Sequence, residues 1–326
     1  MGHFAFMTPA RCLLLLLFLS LPAAAQDPAN YPKGAVRLMV PFPPGGPTDV
    51  VGRIMAQKLQ ETWGQGVVVE NKPGAGTIIG TDWVAKSAPD GQTIGMVITA
   101  YMINPSLRAT MPYDTLRDLA NVTQLVVQHV VLVANAGVPF NTVAELIAHA
   151  KKNPGKLSYA SPGTGTSAHL AGELLKNEAG IDMVHVPYKG SGPAQADLLA
   201  GRVDLMVDVY HSAKPQVEAG KLKVIAVAAR ERPAGIRQYP VIAETLPGFN
   251  VTSLFGLVVP AGTPRAIVSR IQQDTAKVLA QPEVRARLET LGLEVVGSTP
   301  EQFDAFVRAE IDKWAKVVKA NNIKAD

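Results

Sequence analysis

The chain has 326 residues, 31 Lys+Arg against 27 Asp+Glu, and a formal net charge of +4. At roughly 100–200 residues per domain this length allows two domains. Apolar residues make up 47% and charged residues 18%, which excludes a disordered or collagen-like chain. The small charge excess is not gathered into a basic run, so no nucleic-acid partner is expected. The single cysteine, Cys12, excludes a disulfide scaffold, a thiolate metal site and a Cys-X-X-Cys redox pair.

Residues 1–25 have the layout of a secretory signal peptide. Arg11 ends a short basic region, Leu13 to Leu21 is apolar except for Ser20, and Pro22 breaks the helix. Ala23-Ala24-Ala25 then supplies the small residues that a signal peptidase needs, with cleavage expected after Ala25. The apolar block is too short to cross ~30 Å of hydrocarbon, and Cys12 precedes it, against a lipoprotein. An exported, periplasmic protein is expected.

Beyond that point short β-branched runs alternate with amphipathic helical stretches. Strands are expected at Val36–Val40, Val67–Glu70 and Thr93–Thr99, with helices at Thr48–Trp63 and Gly80–Ser87 between them. Val130–Ala134 reads as the next strand. A helix over Val143–Lys152 follows, capped by Thr142 with Glu145 at its third position. Strands at Leu157–Ala160, Val184–Pro187, Leu205–Val207 and Val224–Ala228 alternate with helices at His169–Ala179, Pro193–Ala200 and Lys214–Ala219. Phe255–Val259 is a late strand, and helices at Pro264–Ala280, Pro282–Leu291 and Pro300–Asn321 complete the chain. This alternation specifies an α/β protein, and its length suits two lobes better than one core.

Chemistry is concentrated where strands give way to helices. Val40–Asp49 (V-P-F-P-P-G-G-P-T-D) is a rigid turn with amides free near Gly45–Thr48, an anion site at a helix N-terminus. Glu70–Gly80 (E-N-K-P-G-A-G-T-I-I-G) repeats the arrangement, with Ala75–Ile78, including Thr77 and Ile78, offering further amides. Its spacing is not the dinucleotide G-x-G-x-x-G. Tyr159–Leu170 (Y-A-S-P-G-T-G-T-S-A-H-L) joins the hydroxyls of Ser161, Thr164, Thr166 and Ser167 to a glycine-rich nest at Gly163 and Gly165. Such a set suits a carboxylate. Lys189 stands on the loop after Val184–Pro187, Asp208 ends a strand, and Tyr101, Tyr210 and His211 sit where they would line a cleft.

Other readings are weaker. A secreted serine hydrolase using Ser161 or Ser167 with His169 lacks the G-x-S-x-G elbow, and His169 is also readable as a helix-start histidine bonded to its own loop. An adhesion module has no need of paired glycine-rich loops. The six histidines are scattered, so no metal site is expected, and no cofactor either.

Taken in order, Val40–Asp49, Glu70–Gly80, Ser161–Leu170, His185–Leu199 and Phe255–Pro264 (F-G-L-V-V-P-A-G-T-P) resemble the periplasmic solute-binding proteins of tripartite tricarboxylate transporters, the Bug family. The resemblance runs from Tyr31 to Ala320 and implies a two-lobed type II periplasmic-binding-protein fold. Each lobe is then a mixed sheet flanked by helices, with crossovers near Gln124–Val131 and Thr252–Leu257. Residues 26–125 and 254–326 would form lobe 1, and 126–253 lobe 2. It further implies a carboxylate gripped between lobes that close like a Venus flytrap. Carried over, the binding set is Phe42, Pro44, Gly45, Gly46, Ser161, Gly163, Thr164, Thr166 and His169, with Asp208 at the far side. The expected partners are one large and one small integral membrane subunit, with the binding protein itself a monomer and no catalytic residue. Two departures stand out. Thr77 replaces the last glycine of P-G-A-G-G, and Val209, Tyr210 and His211 follow Asp208 where Asn and a small residue are usual.

Overall fold

The computed structural model describes residues 30–320 together with Gly2 and Ile323, so the expected signal segment lies outside the described residues, Gly2 apart. The first half opens with β1 (Val36–Val40), α1 (Pro47–Trp63), β2 (Val67–Asn71), α2 (Ile78–Ala85), β3 (Thr93–Ile98) and α3 (Ala100–Leu107). The long β4 (Leu119–Asn135) leads to α4 (Val143–Lys152), β5 (Ser158–Ser161), α5 (Ser167–Ala179), β6 (Val184–Pro187) and α6 (Ser191–Leu199). Next come β7 (Leu205–Val209), α7 (Tyr210–Glu218), β8 (Leu222–Val227) and β9 (Thr252–Pro260). The chain ends in α8 (Arg265–Ala280), α9 (Pro282–Thr290), β10 (Leu293–Val295) and α10 (Pro300–Ala320).

The sheet is mixed and curled, in the order β2-β1-β3-β9-β4-β7-β5-β6, with β8 and β10 also on β4. Strand β4 belongs to both ends of it. From Leu119 to His129 it pairs antiparallel with β9, and from Val130 to Ala134 with β7. The change of partner thus falls between His129 and Val130, inside the expected first crossover. The chain returns just before β9, where the Val251 amide bonds Ala228 O at 2.8 Å and the Ala228 amide bonds Val130 O at 2.8 Å. The expected second crossover, Thr252–Leu257, is the first part of β9 and begins opposite the same place, with Thr252 paired to His129.

Three elements were not expected from the sequence: the first half of β4, α3 and the short β10. The first half of β4 carries Asn121, Thr123, Gln124 and Gln128, all buried, and these polar residues hide the strand pattern. Thr123 Oγ1 donates to Ser298 O at 2.7 Å, and the Gln124 amide donates to Ser298 Oγ at 2.9 Å. Helix α3 contains Pro105, which removes a helical donor. It holds because Tyr101, Met102, Ile103 and Asn104 are buried, so packing outweighs propensity.

Apolar burial forms three groups. One lies between the first sheet and α1, α8 and α9, around Leu38, Ile54 and Ile271. Another covers the outer face of the second sheet, around Val131, Leu198 and Met206. The third is continuous across both ends, running from Tyr101 and Ile103 through Leu132 and Tyr159 to Trp314. Helix α10 therefore packs on α3 of the first half and on α5 of the second. Trp314 is fully buried and donates through Nε1 to Glu310 Oε2 at 2.9 Å. Trp314→Ala is expected to cost about 3–5 kcal/mol by leaving a cavity, read as a lowered urea midpoint; an unchanged midpoint would show that α10 is not part of the core.

Candidate ligand-binding site

Strand directions decide which loops meet. Strands β1, β2 and β3 are parallel, and β3 and β4 both run antiparallel to β9, so β1–β3 run in the sense of β4. Strands β5, β6 and β7 are mutually parallel and oppose β4. The C-terminal ends of the two sets therefore point at each other along one shared strand. Strand β3 ends at Ile98, aligned through Phe255 with Val126, while β7 ends at Val209, aligned with Val130. Four residues of extended chain separate these marks, about 13 Å at roughly 3.3 Å per residue. That is room for a small organic molecule.

The loops of the first half are tied together. Asn71 Nδ2 donates to Phe42 O at 2.8 Å and to Asp49 Oδ1 at 2.9 Å. Asp49 also accepts from the Gly45 amide and Arg53. Burial alone would raise the Asp49 carboxyl, but hydrogen bonds from Arg53, Gly45 and Asn71 prevail and hold it at about 2. The second loop passes through the left-handed region at Ala75, Gly76 and Thr77. For Thr77 this is strained, at φ +80°, and its buried Oγ1 has no partner. Asn104 Nδ2 of α3 holds the loop by donating to Gly76 O at 2.9 Å. Farther along α3, Leu107 Cδ1 lies 3.3 Å from where a Gly165 Cβ would be. Helix α3 thus bridges the second loop and the Ser161–His169 loop of the other half.

In that third loop the side chains are largely committed. Ser161 is fully buried with Oγ 2.7 Å from His185 Nε2. Thr166 caps α5, accepting from the His169 amide at 3.2 Å and donating to Gly163 O at 2.7 Å. His169 Nδ1 accepts from the Gly165 amide at 3.1 Å, which places the neutral ring's proton on Nε2. The His169 and His185 rings stack at 4.1 Å, and Tyr159 stacks on His185 at 4.8 Å. What stays uncommitted is backbone. Among the described residues the amides of Thr164, Ser167 and Ala168 have no acceptor, nor have those of Gly46 and Thr48 at the start of α1. The hydroxyls of Thr164 and Ser167 are also free.

Several expected residues lie elsewhere. Tyr101 does not face the cleft. It is 1% exposed, and its hydroxyl bonds Thr115 O at 3.0 Å and Asn121 Oδ1 at 3.3 Å. Asp208 is buried and accepts from Ser191 Oγ and the Val209 amide, both at 2.8 Å, so it joins α6 to the end of β7. Burial still pushes its carboxyl up. Tyr210 packs against Tyr239 at 5.7 Å on the second sheet's outer group. His211 lies over Gly292 of the first half, its Nδ1 buried without a partner. Gly45 spends its amide on Asp49, and Pro44 is exposed. Ile78 is buried under the second loop. The serine hydrolase pairing with His169 is not formed, since the imidazole at Ser161 is His185 and His169 is turned to Gly165. No cluster of metal-ligating side chains occurs among the described residues.

Sequence reasoning passed over Arg108. It follows α3 on the face of Asn104, its guanidinium lying 3.4 Å from where a Gly76 Cβ would be. The available signal was its spacing of four from Asn104 just beyond a strand end.

An α/β frame whose strand ends converge on free helix-start amides suits the binding of a small anion. Residues 51–323 match the tripartite tricarboxylate transporter family receptor, and the chain belongs to that family. BugT of Bordetella pertussis is 35% identical over 305 residues, 93% of this chain and 94% of its own. Among solved structures, Rpa4515 of R. palustris with adipate is 34% identical with a TM-score of 0.77, covering 90% of this chain and 99% of its own. MatC of Rhodopseudomonas palustris with bound malate is 33% identical with a TM-score of 0.74, covering 88% and 100%. The protein is thus a periplasmic-type solute-binding protein and not an enzyme. No helix of the described residues is long and apolar enough to cross a membrane.

The histidine stack gives a pH dependence. Burial, then the charge of Lys176, pushes His169 down from 6.5 to about 4. Burial, then the charge of His169, does the same to His185. The unfolded chain takes up these protons first, so stability falls as pH drops from about 6.5 towards 4. The melting temperature should decline across that window, and less steeply in the double variant His169→Gln/His185→Gln. An equal decline in both would remove the stack as the cause.

Proposed function

We propose that the protein captures a small carboxylate between its two halves in the periplasm and passes it to a membrane transporter. The lobes of this reading are residues 26–125 with 254–326, and residues 126–253, exported by a leader cleaved after Ala25. The receiving partner is a transporter of one large and one small integral subunit, and the binding protein acts as a monomer. The observation that carries the reading is the set of acceptor-free amides at the starts of α1 and α5, on strand ends that point at one another. The adipate and malate held by two related proteins support carboxylate chemistry.

Magnitudes agree. A charge-assisted hydrogen bond contributes about 1.5–3 kcal/mol net, and four of them about 6–12 before ordering costs. Micromolar affinity requires about 8 kcal/mol. The residues carried forward as ligand contacts are Gly46 and Thr164 through their free amides, with Phe42 and Pro44 shaping the wall, while Gly163 and Thr166, whose amides bond Ser161 Oγ and Gly163 O, hold the loop. Ser161 and His169 act by holding the loop open-handed.

Gly46→Pro tests the amide grip cleanly. Gly46 has φ −78° and precedes α1 with no acceptor for its N–H, and its Cβ would meet only Pro43 O at 3.9 Å. Proline fits that backbone and deletes one donor. Affinity for the carboxylate that mass spectrometry recovers from the denatured protein should fall about ten-fold or more, with the free protein's melting temperature held or slightly raised. Unaltered affinity by calorimetry would reject the assignment.

A further inference from the structure

We propose that Arg108 is the specificity-determining cation of this site and pairs with the second carboxylate of a dicarboxylate ligand. The proposal rests on the carboxylate reading above and adds the charge that reads the ligand's far end.

Three residues on one face of α3 and its C-terminal cap, Asn104, Leu107 and Arg108, stand between the loops of the two halves. Asn104 bonds Gly76 O, Leu107 approaches Gly165, and the Arg108 guanidinium lies beside Gly76. Arg108 forms no ion pair among the described residues, and its Nε is buried without a partner. An arginine so placed gains when an anion arrives, because a buried donor left unmade is costly. The nearby Asp114 does not serve it, since Asp114 Oδ1 accepts from the amides of Leu116 and Arg117 at 2.9 Å. Arg108 also lines a cavity of about 530 Å³ together with Pro105, Met111, Tyr113 and Ile311, which leaves the side chain room to turn.

The division of labour follows from geometry. Helix-start amides can hold one carboxylate at a fixed point. They cannot distinguish a monoacid from a diacid, because the second charge lies beyond their reach. A planar guanidinium beside the second loop, at Gly76, does so by bidentate pairing with that second group. The other uncommitted cation at the rim, Lys189, is exposed on the loop past Tyr188, where water screens its charge.

The test is calorimetry on the purified exported protein with straight-chain dicarboxylates of four to eight carbons and the monocarboxylates of equal length. Wild type should prefer a diacid over its matched monoacid at least ten-fold. Arg108→Gln should weaken the best diacid about ten- to hundred-fold and leave its monoacid partner within two-fold. Arg108→Lys should recover part of the loss. Equal diacid affinity in wild type and Arg108→Gln, with melting temperatures matched, overturns the proposal. So does transfer of the effect to Lys189→Gln. A wild type that binds no acid of either series would instead overturn the carboxylate reading itself.

Discussion

The site exists because one strand is shared by two sheets that run in opposed senses around it. Pairing β4 with β9 before Val130 and with β7 after it makes β1, β2, β3, β5, β6 and β7, each followed by a helix, point inward. Each such helix then begins in the same space, with its first amides unpaired by construction. No charged side chain is needed to create the positive potential; the backbone supplies it wherever helix starts are gathered. On the proposed reading these dipoles hold one carboxylate without a fixed counter-ion, and the only fixed cation is assigned to the ligand's far end.

The side chains of the third loop show how such amides are kept available. Ser161, Thr166 and His169 are polar residues in a glycine-rich turn, the usual marks of ligand contact. In the folded protein they bond the loop's own backbone or one another. Their work is preorganisation: the loop does not have to be ordered when the ligand arrives, so the ordering cost is not charged against affinity. Asp49 and Asn71 do the same for the first loop. Thr77, in a backbone region that disfavours a β-branched residue, is held there by the same kind of network, with Thr81 Oγ1 bonding Thr77 O at 3.0 Å.

Local pattern made much of this legible in the sequence. Strands β1 and β6 and helix α4, with its Thr142 cap, lie where alternation and capping chemistry place them. The loops at strand ends were recognisable because glycine and proline cluster there. What stayed hidden depends on contacts distant in sequence. Asn121 and Thr123 of β4 are satisfied by Asp304 and Ser298, far along the chain, and Ser298 also takes the Gln124 amide. Helix α3 survives Pro105 only through burial. Tyr101 looked like a cleft residue because it follows a strand end, yet one helical turn sends its ring into the core. The same turn brings Arg108 to Gly76, so one unrecognised helix accounts for both a residue wrongly assigned to the cleft and one overlooked.

On the proposed reading, a grip divided between two halves would tie affinity to how those halves sit. The ligand can favour the closed arrangement only by the contacts it gains there. The protein's own contacts between halves therefore set the starting point. Leu107 against Gly165, His211 over Gly292, and α10 across α3 and α5 already join them. If these contacts were strong, closure would persist without ligand and release would be slow; if absent, the ligand would bear the whole cost of ordering. The contacts at glycines, at about 0.1–0.2 kcal/mol per atom pair, add little to the packing of α10 on α3 and α5. The pivots available for closure are the partner change at His129–Val130 and the return at Ala228–Val251, where a single backbone strand and a single hydrogen bond cross between sheets.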